Sequence, residues 1–126
     1  MSRAKPHSRV AVLGASTNPE RYSFKAVGLL KEKGHVPVPV HPSEHVVQGI
    51  QALPSLEDVT EPVDTLSVYV NQEISSGELD RILKLKPRRV VFNPGTENAP
   101  VAARLRDAGI EVVEMCTLVL LRTGQF

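Results

Sequence analysis

Gly14, Ala15 and Ser16 end a short apolar run, and Pro19, Arg21, Ser23 and Lys25 follow before the next apolar residues recur at helical spacing. A strand that breaks on a glycine and small residues ahead of a helix is a place for a phosphate. The first helical turn leaves N–H groups without intrahelical acceptors, and the helix dipole adds partial positive charge there. Arg21 supplies a guanidinium able to grip a phosphate with two hydrogen bonds. Lys25 falls in the first turn, where a cation is unfavourable to the dipole unless an anion is near. The plainer alternative is an ordinary strand-to-helix turn, with Ser23 as the cap and Pro19 as punctuation. The full dinucleotide fingerprint G-x-G-x-x-G is absent, because Gly14 is the one glycine of this loop.

Other polar residues stand just after apolar runs. His41-Pro42 follows the second run, at the position where a dinucleotide-binding domain offers an acid to the ribose hydroxyls. That acid is missing, and His41 is either a ligand contact or a turn residue. Residues 93–98, Asn-Pro-Gly-Thr-Glu-Asn, form a second polar loop. Asn98 capping a helix and Gly95 at positive φ account for most of it without a ligand. Glu97 is its one carboxylate and has no second carboxylate or histidine tied to it, so no catalytic residue is expected. Cys116, the single cysteine, follows the last apolar run; it is a candidate redox thiol or a small buried hydrophobe. The four histidines lack the spaced partners that zinc needs, so no metal site is expected, and His35 and His45 are read as exposed.

The elements that must position these groups are legible as alternation. Strand-like runs cover Arg9–Leu13, Val36–Val40, residues 65–70, Arg89–Phe92 and residues 111–115. Between them, Phe24, Val27 and Leu30, then Leu79, Ile82 and Leu83, then Val101, Ala102 and Leu105 recur at helical spacing. Ser23 and Ser75 or Ser76 are the expected caps of the first two helices, Ser55 of a short one through Asp58, and Pro100 suits the first turn of the third. Gly34 and Gly109 close their helices. Near-continuous apolar strands alternating with helices predict a single α/β domain: a doubly wound parallel sheet of about five strands flanked by helices. The expected order is 3-2-1-4-5 with Arg9–Leu13 central, so that the loops after strands one and four flank a crevice at the carboxyl edge.

With 126 residues, the chain suits one domain, residues 1–126, and residues 1–8 read as a flexible basic lead without the apolar stretch of a signal peptide. A net charge of +1, from 15 basic and 14 acidic residues, gives no general attraction for nucleic acid or an anionic membrane. No apolar run is long enough to span a bilayer, and a cytoplasmic protein is expected. The apolar end, Leu118 to Leu121, is read as core, or as a docking surface for a partner subunit.

Taken jointly, V-A-V-L-G-A-S-T-N-P-E-R-Y-S at residues 10–23, the prolines and valines from Pro37 through Pro42, P-S-L-E-D-V at 54–59, P-V-D-T-L-S-V-Y-V at 62–70 and E-M-C-T at 114–117 resemble the small stand-alone CoA-binding domain family. That family is related to the nucleotide-binding part of the succinyl-CoA synthetase alpha subunit. The resemblance covers nearly the whole chain. It implies a Rossmann-like fold with coenzyme A across the carboxyl edge, its phosphates near Gly14, Ala15 and Ser16, and Arg21 and Lys25 as phosphate partners. It also implies that His41 and Pro42 border the adenosine, with Val70 and Asn71 beside the pocket; many relatives carry asparagine where His41 stands. The synthetase's phosphorylated histidine lies on a domain this sequence does not include, so ligase activity does not carry over. The expected role is a non-catalytic carrier, sensor or regulator that binds coenzyme A or an acyl-CoA, alone, as a homo-oligomer or with a protein partner. The competing readings are an NAD(H)-binding redox sensor and the CoA-binding subunit of a multi-subunit ligase.

Overall fold

A computed structural model describes residues 3–43 and 46–126. His45 and the first two residues of the lead lie outside the described residues. Five parallel strands, β1 (Arg9–Leu13), β2 (Val36–Val40), β5 (Thr65–Val68), β6 (Arg89–Phe92) and β7 (Glu111–Glu114), form one sheet in the order β2-β1-β5-β6-β7. Helices α1 (Tyr22–Glu32), α2 (Gln72–Gly77), α3 (Leu79–Leu85), α4 (Ala99–Asp107) and α5 (Thr117–Arg122) pack around it, and a two-stranded hairpin, β3 (Val46–Val47) with β4 (Ile50–Gln51), follows β2.

The alternation of the strands explains why both faces are covered. In β1, Val10 and Val12 face one cluster with Val27 and Leu30 of α1 and Leu120 and Leu121 of α5. Ala11 and Leu13 face the other, with Ile82 of α3 and Val101 and Leu105 of α4. Burying both faces removes the polar alternation of a half-exposed strand, which is why these segments read as unbroken apolar runs. Leu118, Leu120 and Leu121 are buried, so this end of the chain is core.

The expected strand order is corrected. The strand after β2's connection, β5, does not add outside β2; it pairs with β1 on its free side, Val10 opposite Thr65 and Leu13 opposite Val68. In numbers that count only the strands of this sheet the order is 2-1-3-4-5, and the central strand is β5 rather than β1. The direction of winding therefore reverses between β1 and β5, and the crevice opens between the loops that leave those two strands, not after strands one and four. Pro37 and Pro39 fit the position of β2 at the sheet's edge, where proline can sit without breaking a ladder on both sides.

Two caps also differ from expectation. The helix of Leu79, Ile82 and Leu83, α3, has Glu78 at its N-cap without a side-chain cap bond, and Ser75 and Ser76 lie inside the preceding α2, which Asn71 caps by accepting from the Ile74 amide at 2.9 Å. Ser23 lies inside α1, and its hydroxyl instead accepts from the Ser16 amide at 3.1 Å. Ser55 caps the single 3-10 turn Leu56–Asp58, Asn98 caps α4 with Pro100 in its first turn, and Gly34 and Gly109 take φ of 88° and 82°.

Candidate functional site

Gly14 starts the site because its position tolerates nothing larger. Its φ is +88°, and a Cβ there would stand 2.8 Å from Val70 Cγ1 and 3.0 Å from the Tyr69 carbonyl oxygen. The loops leaving β1 and β5 thus touch through a missing side chain. On either side of that contact the carboxyl edge is hollow. One cleft of about 720 Å³ is walled by Leu13, Gly14, Val40, Pro42, Val70 and Asn71 and extends to Glu78 and Arg81. A second, of about 560 Å³, runs past Ser16, Tyr22 and Ser23 to Pro94 and Thr96. Gly14, Arg21, His41 and Tyr69 line both, so the two volumes share a wall. Each has the size of a small-molecule site.

The loop itself is locked by its own hydrogen bonds. The Gly14 and Ala15 amides both donate to the Val40 carbonyl, at 2.9 and 3.4 Å, and the Ser16 amide donates to Ser23. The Asn18 amide donates to the Ser16 hydroxyl and the Glu20 amide to the Asn18 side chain. The amides expected to cradle a phosphate, those of residues 14–16, are therefore spent on shaping the turn, and Ala15 is fully buried.

Free donors lie one step further on. Arg21 occupies the N-cap of α1 without a side-chain cap bond, and Lys25 is the first residue of the helix whose amide finds an acceptor, the Arg21 carbonyl. The amides of Tyr22, Ser23 and Phe24 have no acceptor among the described residues. The first turn holds no acid, and the exposed Arg21 guanidinium makes no ion pair or hydrogen bond among the described residues. Orphan amides, helix dipole and an unpaired guanidinium add in one place, a combination that favours an anion. Lys25 does not line either cleft; its ammonium sits 5.6 Å from the ring centre of Tyr22, which does.

Around this start the remaining walls are fixed. The Ser43 amide donates to His41 Nδ1 at 3.1 Å, which leaves Nε2 of the neutral ring to carry the hydrogen and act as donor. Asn93 is buried beneath the rim, its amide donating to the Ser67 hydroxyl and the Val68 carbonyl while its oxygen accepts from the Thr117 amide. Glu97 is turned back on its own loop, accepting from the Gly95 amide at 2.9 Å, and does not line the clefts. Cys116 is half-buried at the N-cap of α5 and lines neither cleft. Burial pushes the Tyr69 phenol up, so that ring is a neutral wall of both volumes. Among the described residues no three His, Cys, Asp or Glu side chains gather as a metal would require, and no helix is long and apolar enough to cross a membrane.

Sequence reasoning did not single out Tyr69, Glu78 and Arg81, which line the clefts. Tyr69 carried a signal, an aromatic with a polar tip next to the strand's last apolar residues; Glu78 and Arg81 carried none, since they reach the cleft from the junction of α2 with α3 and from the first turn of α3.

A doubly wound parallel sheet with a cleft at its switch point, bounded by a glycine loop and a helix start without a side-chain cap, defines a Rossmann-like class of α/β domain. Within that class the chain belongs to the CoA-binding domain family, whose model matches residues 8–122. It is similar to the uncharacterized protein YneT of Bacillus subtilis (strain 168), 26% identical over 112 residues that span 88% of this chain and 83% of that one. Among solved structures it is similar to an uncharacterized protein at 39% identity and a TM-score of 0.92, covering 97% of this chain and all of the other. A Thermus thermophilus protein matches at 31% identity and a TM-score of 0.87, over 95% and 91% of the two chains. The dinucleotide-forming acetyl-coenzyme A synthetase 1 of Ca. Korarchaeum cryptofilum shares the fold, at 23% identity and a TM-score of 0.74, with 87% of this chain laid over 26% of that protein.

Proposed function

We propose that this chain binds coenzyme A or an acyl-CoA in the cytoplasm, as a carrier, sensor or regulator without chemistry of its own. The observation that carries the reading is the start of α1: three amides without acceptors, no acid in the first turn, and Arg21 unpaired at the mouth of both clefts. A diphosphate there takes the amides of Tyr22 and Ser23 and the Arg21 guanidinium as donors. Gly14, Ala15 and Ser16 then shape the floor rather than donate. From that anchor the 720 Å³ cleft takes the adenosine between Pro42 and Val70, with His41 and Asn71 at its rim, and the 560 Å³ cleft takes the pantetheine arm. Family membership supports the choice of coenzyme. The one carboxylate that lines the clefts, Glu78, pairs with Arg81 rather than with a titrating base, and no lining hydroxyl is hydrogen-bonded to a base, which favours binding over catalysis.

Thermal-shift titration tests the reading. A ligand that binds the folded state alone raises its melting temperature, by about 2.7 kcal/mol of added stability at a hundredfold excess over Kd. Coenzyme A is expected to do so and NADH not; stabilisation by NADH alone would move the assignment to a dinucleotide sensor.

A further inference from the structure

The 720 Å³ cleft has an end that a diphosphate at α1 does not use. Val40, Pro42, Pro54, Val70 and Ile74 give it apolar walls, and it closes on Glu78 and Arg81. One Glu78 carboxylate oxygen lies 3.5 Å from Arg81 Nη1, while the other, Oε2, is buried with no hydrogen-bond partner. A buried acceptor without a donor is a standing cost that an incoming N–H removes. Glu78 lines the cleft and its side chain is 22% exposed, so a donor in the cleft reaches the carboxylate, and the soft terminal torsion lets its two oxygens share that donor and Arg81. Arg81 is steadied in turn by Glu57, Nε to Oε1 3.0 Å. Two carboxylates beside one guanidinium make this a poor seat for another phosphate. They suit a neutral, flat group that carries a donor and an acceptor side by side.

We propose that Glu78, oriented by Arg81, accepts a hydrogen bond from the exocyclic amino group of adenine, with an Arg81 N–H reaching the neighbouring ring nitrogen. Glu78 thereby sets the base preference of the site. The assignment rests on the coenzyme A reading, since adenine is that coenzyme's base. It adds a named contact to a slot that is otherwise apolar and indifferent to which purine fills it.

Isothermal titration with coenzyme A and with its deaminated form, in which hypoxanthine puts a carbonyl where the amino group was, reads this preference. The wild-type chain is expected to bind coenzyme A about tenfold or more tighter than the deaminated form. Glu78→Gln, whose amide can turn to donate to a carbonyl, is expected to narrow that ratio to about twofold or reverse it. Equal binding of the two by the wild-type chain, or an unchanged ratio in the variant, overturns the role of Glu78 while leaving coenzyme binding in place. If the wild-type chain binds neither, the coenzyme reading falls and this proposal with it. Should Glu78→Gln fail to fold by circular dichroism, the wild-type ratio alone decides.

Discussion

The two edges of the parallel sheet carry similar residue types and treat them in opposite ways. At the amino edge, Arg88 donates to Asp64 at 2.9 Å and to the Arg3 carbonyl at 2.8 Å, and Glu111 stands 3.7 Å from Arg88. Arg89, fully buried in β6, donates to Thr65 Oγ1 at 3.1 Å and places its guanidinium 4.5 Å from the Phe126 ring centre. His7 bonds the Gly34 carbonyl, and the Ala4 amide donates to the Phe126 carbonyl. At the carboxyl edge, Arg21 has no partner among the described residues, the first amides of α1 have no acceptor, and Glu78 Oε2 has no donor. Charges that are satisfied internally hold the fold. Those left open are available to something else, and the contrast separates a strut from a site better than counting charges, which come to a net +1 for the whole chain.

That contrast breaks most visibly where a strut is removed. Arg89→Ala removes a fully buried side chain packed on the Phe126 ring and leaves a void, and is expected to cost about 2–5 kcal/mol in urea unfolding. Whatever fraction stays folded should bind coenzyme A as before. Gly14→Ala comes next, because a methyl group at φ +88° would meet Val70 and Tyr69. A stability loss of about 1–3 kcal/mol is expected, together with weakened coenzyme binding, since both clefts share that residue. Arg21→Ala sharpens the comparison from the other side: unfolding free energy should stay within about 0.5 kcal/mol while coenzyme affinity falls about tenfold or more. An Arg21 variant that loses stability and keeps affinity would place the residue among the struts.

The smallest effect is in pH. Burial lowers the His35 imidazole, and His7 lowers it further. The folded state therefore resists a proton that the unfolded chain accepts, so its full contribution is present above about pH 6.5 and declines as pH falls through that value. Asp64 acts lower on the scale: burial alone would raise it, but hydrogen bonds from Arg88 and Thr65 outweigh burial and hold the carboxyl below the usual range. Its contribution is present above about pH 4 and is lost as the carboxylate takes up a proton. Stability measured from pH 8 to pH 3 should fall in those two stages, and His35→Gln should remove the first.

Much of the fold was legible because parallel strands buried on both faces write themselves as apolar runs. Arg9–Leu13, Val36–Val40 and Arg89–Phe92 begin and end where the sequence places them. Their order was not legible, since nothing local in Thr65–Val68 says on which side of β1 it will pair; the choice depends on how the connection after β2 crosses the sheet. The hairpin of β3 and β4 escaped notice because strands of two residues leave no period to read. Ser23 looked like a cap by type and place, yet the loop needed its hydroxyl for the Ser16 amide, and the helix start was left bare. Gly14 and Arg21, which the sequence singles out through conformational freedom and charge, line both clefts. Tyr69, Glu78 and Arg81 depend on long-range packing that sequence spacing does not carry.

A titration of the 15N-labelled chain with coenzyme A, followed by amide resonances, addresses the bare helix start directly. The largest shifts are expected at the Tyr22, Ser23 and Phe24 amides, with Gly14 and Val70 moving less. Shifts confined to the amino edge around Lys33, His35 and Phe126, or none at saturating coenzyme, would contradict it.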